Sequence, residues 1–305
     1  MNFFLETLKV LGLSTYYLLE SLVFFVVPRR KKNVSGETVL ITGAASGFGR
    51  LLSLKFARLG ATLVLWDINQ EGLKETVRLA RENGALRVHS YICDCSKRQD
   101  IYRVADQVKR EVGDVSILVN NAGIVTGKTF LNCPDSLVEK TMEVNTMAHF
   151  WTTKAFLPAM MASNHGHLVT IASTAGLCGA TRLSDYCASK FGAVGFAESM
   201  DVEMKTLGKN GVKTTTVCPY TMNTGMFDGV QNKWPHVLPM LDPEYVAEKT
   251  VTAVRQNQEM LILPRIIYFL LVLKSILPTK ASVVFLDYLG VLHLMDTFKG
   301  RPKKE

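Results

Sequence analysis

The chain has 305 residues, 48% hydrophobic and 20% charged, with a formal charge of +8. That length holds one large domain or two small ones, with apolar residues enough for a substantial core. The excess of +8 matches two clusters, Arg29, Arg30, Lys31 and Lys32 near one end and Lys299, Arg301, Lys303 and Lys304 at the other, which excludes a basic nucleic-acid groove on the body and fits a membrane surface.

Val10 to Val27, VLGLSTYYLLESLVFFVV, is an apolar run with Glu20 as its one charge, and PRRKK follows at once. A signal peptide places its basic residues ahead of the run and a small-residue cleavage site behind it, and this segment does neither. Residues 1–33 are therefore expected to form a membrane anchor, the basic cluster holding the next domain on the cytoplasmic side. A buried terminal helix is the alternative. Spanning the bilayer and lying along one leaflet both stay open, because the run barely reaches spanning length and Glu20 is costly at mid-bilayer.

From residue 34 to 263 short β-branched runs alternate with helical stretches. The predicted strands read TVLIT, TLVLWD, RVHSYI, SILVN, HLVTIAS, VKTTTVC and MLIL, with helices such as Phe48–Leu59, Gln70–Asn83 and Asp100–Val112 between them. Strands that are nearly continuous apolar runs, each followed by a helix, predict one α/β domain: a doubly wound, Rossmann-type parallel sheet of about seven strands. Its ligand crevice lies at the carboxyl ends of the strands.

The first strand runs into TGAASGFGR, where Gly43, Gly47 and Gly49 follow the spacing G-x-x-x-G-x-G ahead of a helix. Glycines let the backbone turn sharply and approach a pyrophosphate, while the helix N-terminus supplies amide donors. Thr42, Gly43, Ser46, Gly47, Phe48 and Gly49 are thus the expected cofactor-binding turn. Asp67 closes the second strand, where its carboxylate can accept ribose hydroxyls and repel a 2′-phosphate. Ser46 is not basic, so NAD is expected rather than NADP. The six cysteines (Cys93, Cys95, Cys133, Cys178, Cys187, Cys218) form no C-x-x-C pair and read as packed thiols of a reduced, cytosol-facing protein, with no metal expected. His165 and His167 read as loop residues ahead of a strand.

Tyr186 and Lys190 stand four apart on one helix face, in SDYCASKFG. After the sixth strand Met226, Phe227, Trp234, Leu238 and Met240 lie in a segment that reads either as a greasy lid or as ordinary loop packing. The stretch from Leu261 to Pro278 is a strand end and then, from Arg265 to Leu277, a helix apolar on nearly all sides, to be buried in protein or lipid. Residues 264–305 are therefore expected to associate with a membrane or with a second copy.

LVNNAGI (Leu118–Ile124), VNT (Val144–Thr146), TIASTAG (Thr170–Gly176), YCASK (Tyr186–Lys190) and CPYTMNT (Cys218–Thr224) follow the glycine turn in order. Over roughly residues 36–263 this series resembles the short-chain dehydrogenase/reductases. The apolar N-terminus and LVLWDIN bring it nearest to their membrane-associated retinol and hydroxysteroid dehydrogenases. The resemblance implies that Asp94 contacts the adenine edge, that Asn121, Ala122 and Gly123 line the adenosine side, and that Thr224, beside Pro219, contacts the nicotinamide carboxamide. It also implies that Asn145 holds a water in the proton path and that Lys190 binds the nicotinamide ribose. Tyr220 stands where the family often has glycine and narrows the site.

On this reading Tyr186 is the proton-transfer group, a phenol whose pKa the Lys190 ammonium lowers, and Ser173 hydrogen-bonds the substrate oxygen. Cys187 points off that face. Leu177, Cys178, Tyr220, Met226 and Phe227 join Ser173 as expected substrate contacts. The implied activity is NAD-dependent interconversion of a lipophilic alcohol and its carbonyl, with all-trans-retinol first and a steroid alcohol second. A lipid-droplet or membrane scaffold with vestigial chemistry is the competing class. The resemblance further implies the endoplasmic reticulum membrane, with lipid droplets as a second location. It implies a homodimer through the helices around Met142–Met161 and Asp185–Leu207.

Overall fold

The computed structural model describes residues 2–27 and 29–300, so Pro28 and, of the C-terminal basic cluster, Arg301, Lys303 and Lys304 lie outside the described residues. The chain divides between Asn33 and Val34 into two compact units. The first holds α1 (Phe3–Val26), capped by the Asn2 side chain accepting from the Phe4 amide at 3.2 Å. Its apolar residues, among them Phe3, Leu8, Leu11, Leu18 and Leu22, are exposed. Among the described residues no helix is both long enough and apolar enough to cross a membrane.

The second unit is built on seven parallel strands: β1 (Thr38–Thr42), β2 (Thr62–Asp67), β3 (Val88–Ile92), β4 (Ile117–Asn120), β5 (Gly166–Ile171), β6 (Val212–Pro219) and β7 (Met260–Leu263). Their order across the sheet is β3-β2-β1-β4-β5-β6-β7, so the winding reverses between β1 and β4 and opens a crevice above that pair. Val39 pairs with Leu63 on one side and Ile117 on the other. The inner strands are sealed on both faces, β4 being buried throughout, which is why they read as apolar runs. The doubly wound sheet expected from the sequence is the one observed, and its seven strands fall on the seven predicted runs.

Helices α2 (Gly47–Ala57), α3 (Gln70–Glu82) and α4 (Arg98–Glu111) cover the first half. α3 shows the local logic. Asn69 caps it by accepting from the Gly72 amide at 3.0 Å, Leu73, Thr76 and Ala80 face inward, and Gly84 at φ +94° follows its end. In the second half come α5 (Asp135–Met142), α6 (Ala148–Ser163), α7 (Ser184–Thr206) and α8 (Pro243–Arg255). Between α5 and α6 the chain makes a π-helical turn over Glu143–Met147. His167 is inside β5, not in a loop: it is fully buried, with Nε2 2.8 Å from the Thr215 hydroxyl. His165 sits outside, with Nε2 3.0 Å from the Glu37 carboxylate.

No division follows Leu263. Helices α9 (Ile266–Ile276) and α10 (Thr279–Tyr288), and the described residues beyond them, belong to the same unit as the sheet. The run apolar on all sides is only half sheltered: Ile267 is buried and Leu270 and Leu271 pack against the core cluster it shares with Ala172, Val194 and Ile262, while Phe269, Val272 and Ile276 are exposed. Leu289, Val291, Leu294 and Met295 then return to the interior.

Candidate active site

Thr42 ends β1 and does not face the crevice. It is buried, and its hydroxyl accepts the amides of Asn121 and Ala122, each at 3.0 Å, tying the ends of β1 and β4 together. The Asn121 side chain donates back to the Thr42 carbonyl at 2.8 Å. Gly43 turns with φ +68°, and Gly47 opens α2 with φ +52°. Gly49 is demanded by the protein itself, since a Cβ there would stand 2.1 Å from the Gly43 carbonyl oxygen and 2.6 Å from the Asn121 amide nitrogen. The motif therefore brings a helix N-terminus against the turn before any ligand is considered.

A cleft of about 430 Å³ starts at this turn, lined by Gly43, Ser46, Phe48 and Gly49, and runs past Asp67 and Asp94 at one end. Asp67 accepts the Ala45 amide on one oxygen and the Asn69 amide on the other, both at 2.9 Å. Arg50 is turned away, its guanidinium bonded to the Ala45 and Gly72 carbonyls and the Thr76 hydroxyl. The Asp94 carboxylate accepts the Ser96 amide at 3.0 Å and hydroxyl at 2.7 Å, with Lys140 at 3.5 Å. Partial burial opposes its ionisation, but Ser96 and the lysines outweigh that and hold its pKa below the usual carboxylate range. Cys93 and Cys95 flank it as buried thiols.

At the other end the cleft meets Asn121, Ala122 and Gly123 and then Ser173, Tyr186, Lys190, Pro219, Tyr220, Thr224, Met226 and Phe227. Ser173 follows β5 and caps a short turn, accepting the Ala175 amide at 3.1 Å. α7 carries Tyr186 and Lys190, both almost wholly buried, with the Lys190 ammonium 5.7 Å from the Tyr186 ring centre and donating to the Ile171 carbonyl at 2.9 Å. Burial pushes the Tyr186 pKa well up, and the Ser173 side chain hydrogen-bonded to it pulls the other way. The expected lowering by Lys190 is not what sets the phenol here. Burial also brings Lys190 down to about 8, which leaves it charged at neutral pH.

Asn145 is buried behind the cleft in the π turn. Its side chain accepts the Ile124 amide at 2.8 Å and donates to the Ile124 carbonyl at 2.9 Å and the Ser189 hydroxyl at 3.0 Å, so it joins the end of β4 to α7. One turn on, His149 is buried with neither ring nitrogen hydrogen-bonded, and burial, reinforced by the Lys190 charge, lowers its pKa to about 3. Asp185, beside Tyr186, accepts the Thr126 hydroxyl at 2.7 Å.

Leu177 and Cys178 do not line the cleft. The short turn Thr174–Gly176 carries Leu177 onto the core under α9, where its carbonyl accepts Lys274 at 2.8 Å, and Cys178 lies against the Thr174 carbonyl at 3.5 Å. The segment expected as a lid is divided. Met226 and Phe227 enter the cleft, Leu238 joins the core, and the Trp234 indole donates to the Tyr288 carbonyl at 2.7 Å. Phe227 stands edge-on to Tyr186 with centroids 5.9 Å apart. The apolar group around Tyr186 is completed by Leu294, Met295 and Phe298 from the C-terminal segment, which sequence reasoning assigned to a membrane or a second copy.

The donor set suits a dinucleotide: a carboxylate at one end, a glycine turn with a helix N-terminus in the middle, and a buried ammonium beside a serine and a tyrosine at the other. The family model of short chain dehydrogenases matches residues 37–234. The chain is 60% identical to epidermal retinol dehydrogenase 2 of Mus musculus, over 97% of this chain and 96% of that one. It is 45% identical to retinol dehydrogenase 10-B of Xenopus laevis, over 100% and 96%. Among solved structures it resembles a short chain dehydrogenase/reductase from Burkholderia phymatum in complex with NAD, with TM-score 0.72 and 27% identity over 80% of this chain and 94% of that one. Motif order, sheet topology and full-length similarity lead to one conclusion: the chain belongs to the short-chain dehydrogenase family.

Proposed function

We propose that the chain is an NAD-dependent retinol dehydrogenase, interconverting all-trans-retinol and all-trans-retinal. The observation that carries the reading is the convergence of Ser173, Tyr186 and Lys190 where the cofactor cleft meets an apolar group. The names of its relatives supply the substrate. Asp67 would hold the adenosine ribose, the glycine turn the pyrophosphate, and Lys190 the nicotinamide ribose. NAD is favoured because Asp67 would repel a 2′-phosphate and Arg50 is committed to the Ala45 and Gly72 carbonyls.

When bound, NAD supplies the hydride acceptor. Ser173 holds the alcohol oxygen while Tyr186 takes its proton, or donates one in the reverse direction. A phenol this buried resists ionisation, and the Lys190 charge is the nearby group able to stabilise the phenolate as it forms. Asn145 fixes the spacing of Ile124 and Ser189 behind the pair, and a water held there would complete the proton path.

We also place α1 in a membrane interface, because its exposed apolar residues need cover and Glu6, Lys9 and Glu20 make full immersion costly. Arg29 to Lys32 would sit against the headgroups, on the cytoplasmic face of the endoplasmic reticulum. The exposed residues of α9, Phe269, Val272 and Ile276, would rest on a membrane or on a second copy. NAD-dependent turnover of retinol against a panel of steroid alcohols, in membranes containing the protein, tests the assignment. Retinol as the preferred substrate is expected. Preference for a steroid would replace it, and NAD binding without turnover of any lipid alcohol would favour the scaffold reading.

A further inference from the structure

Tyr186 and Lys190 both reach the cleft from α7 at one rotation of that helix about its axis, and the side chains beside them hold it there. Asp185 and Ser189 each stand one residue ahead of the pair, four apart, and so share a face about 100° away. Ser189 meets the Asn145 side chain. Asp185 stands in the first turn of α7, where acidic side chains ordinarily serve the free amides, yet its carboxyl reaches out of the helix. It is buried, 6% exposed, and one of its oxygens accepts the Thr126 hydroxyl at 2.7 Å. The Thr141 hydroxyl of α5 lies 3.2 Å from the same oxygen but only 2.8 Å from the Leu137 carbonyl, so its single proton is shared and Thr126 is the main donor. The other oxygen of Asp185 is buried with no partner among the described residues.

Thr126 ends a strip that leaves β4 and lines the cleft through Asn121, Ala122, Gly123 and Ile124. The strip is tied at Asn121 to Thr42, at Ile124 to Asn145 and at Thr126 to Asp185. Two of these ties lead to α7, one directly and one through Asn145 to Ser189. The cofactor wall and the helix that carries Tyr186 are therefore joined at two points, one turn apart, on the face next to Tyr186 and Lys190. With one of them lost, a single pivot is left about which the start of the helix can turn. Removing the Thr126 hydroxyl also strips a buried carboxyl of its main donor.

We propose that Asp185 is a positioning residue, which through Thr126 fixes the rotation of α7 and so the approach of the Tyr186 hydroxyl to the alcohol held by Ser173. The proposal rests on the alcohol dehydrogenase reading given above. It is tested by single-turnover mixing of the full chain in membranes with the alcohol that the substrate panel selects. With NAD scarcer than enzyme, each NAD is bound at a folded site and reduced once, so the rate constant for NADH formation reports the chemistry and not the folded fraction. Asp185→Ala and Thr126→Val should each lower that rate constant about 10-fold with NAD affinity unchanged, as displaced reacting groups do. The double variant should be no slower than Asp185→Ala alone, because the two act through one bond. Asp185→Asn and Thr126→Ser, which keep the acceptor and the donor, should stay within about threefold of the unaltered chain. Thr126 is only half-buried, so its variants read out even where Asp185→Ala impairs folding. Unchanged rate constants in Asp185→Ala and Thr126→Val overturn the proposal, and so does a loss in Asp185→Asn as large as in Asp185→Ala. Failure of the unaltered chain to reduce NAD with any alcohol of the panel instead overturns the dehydrogenase reading, and is seen before any variant is made.

Discussion

The two sides of Tyr186 are built by different rules. Toward the cofactor, the walls are strand ends and the turns that leave them, fastened by backbone and short polar side chains such as Thr42, Asn121 and Asp67. On the other side, they are apolar side chains drawn mostly from loops, contributed by residues as distant as Phe227 and Met295. The first kind of wall fixes geometry to a fraction of an ångström and tolerates little change. The second fixes volume and polarity and can be reshaped. Chemistry is placed on the rigid side, and selectivity falls to the adaptable one.

That contrast can be broken most severely at its centre. Tyr186→Phe removes the proton-transfer group and should cut turnover by about 10³-fold, with NAD binding, followed by fluorescence titration, retained. On the rigid side, Gly49→Ala drives a methyl into the Gly43 carbonyl; NAD affinity should fall steeply and the protein should lose about 1–3 kcal/mol in a denaturant titration. Asp67→Ala should weaken NAD about 10-fold and narrow its advantage over NADP, in parallel titrations of the two cofactors. On the adaptable side, Phe227→Ala should raise KM for the lipid alcohol by only about fivefold and leave NAD affinity alone, because neighbouring apolar groups can close in.

The smallest effect near neutrality concerns His149. Its folded pKa of about 3 lies below the ordinary ~6.5 of an unfolded histidine. Above that value neither state is charged and nothing is lost. As the pH falls toward about 3, the unfolded chain takes up a proton that the folded one refuses, so stability drops across that window. His149→Leu should flatten this part of a pH–stability curve measured by thermal unfolding, and an unchanged curve would refute the attribution.

The same contrast decides what could be read from the residues alone. Parallel strands buried on both faces write themselves as apolar runs, and a glycine that must clear a carbonyl stays glycine, so the sheet and the turn after β1 were legible. Thr42 was found but given the wrong partner: its hydroxyl serves two amides of the protein, a use that depends on β1 and β4 being neighbours. The packing of Leu294, Met295 and Phe298 around Tyr186 was missed because GVLHLMDTF shows neither helical nor strand periodicity, and its apolar residues acquire meaning only by reaching residues far away in sequence. Signals for it existed in the buried class of residue that Leu294 and Met295 represent, but nothing local said where they would go. Leu177 and Cys178 lie off the cleft because one short turn after Ser173 redirects the chain.

The π-helical turn over Glu143–Met147 sets the phase between α5 and α6. Such a turn is a regular helix with one residue too many, and each residue of an α-helix advances the face by about 100°. Deleting Met147 would let α5 and α6 merge into an uninterrupted helix and would rotate the buried face of α5, with Thr141, by about 100° against that of α6. It would also rotate Asn145 against everything that follows and carry its side chain off Ile124 and Ser189. The surplus residue is therefore a phase shift that keeps the buried faces of both helices inward while Asn145 meets Ile124 and Ser189.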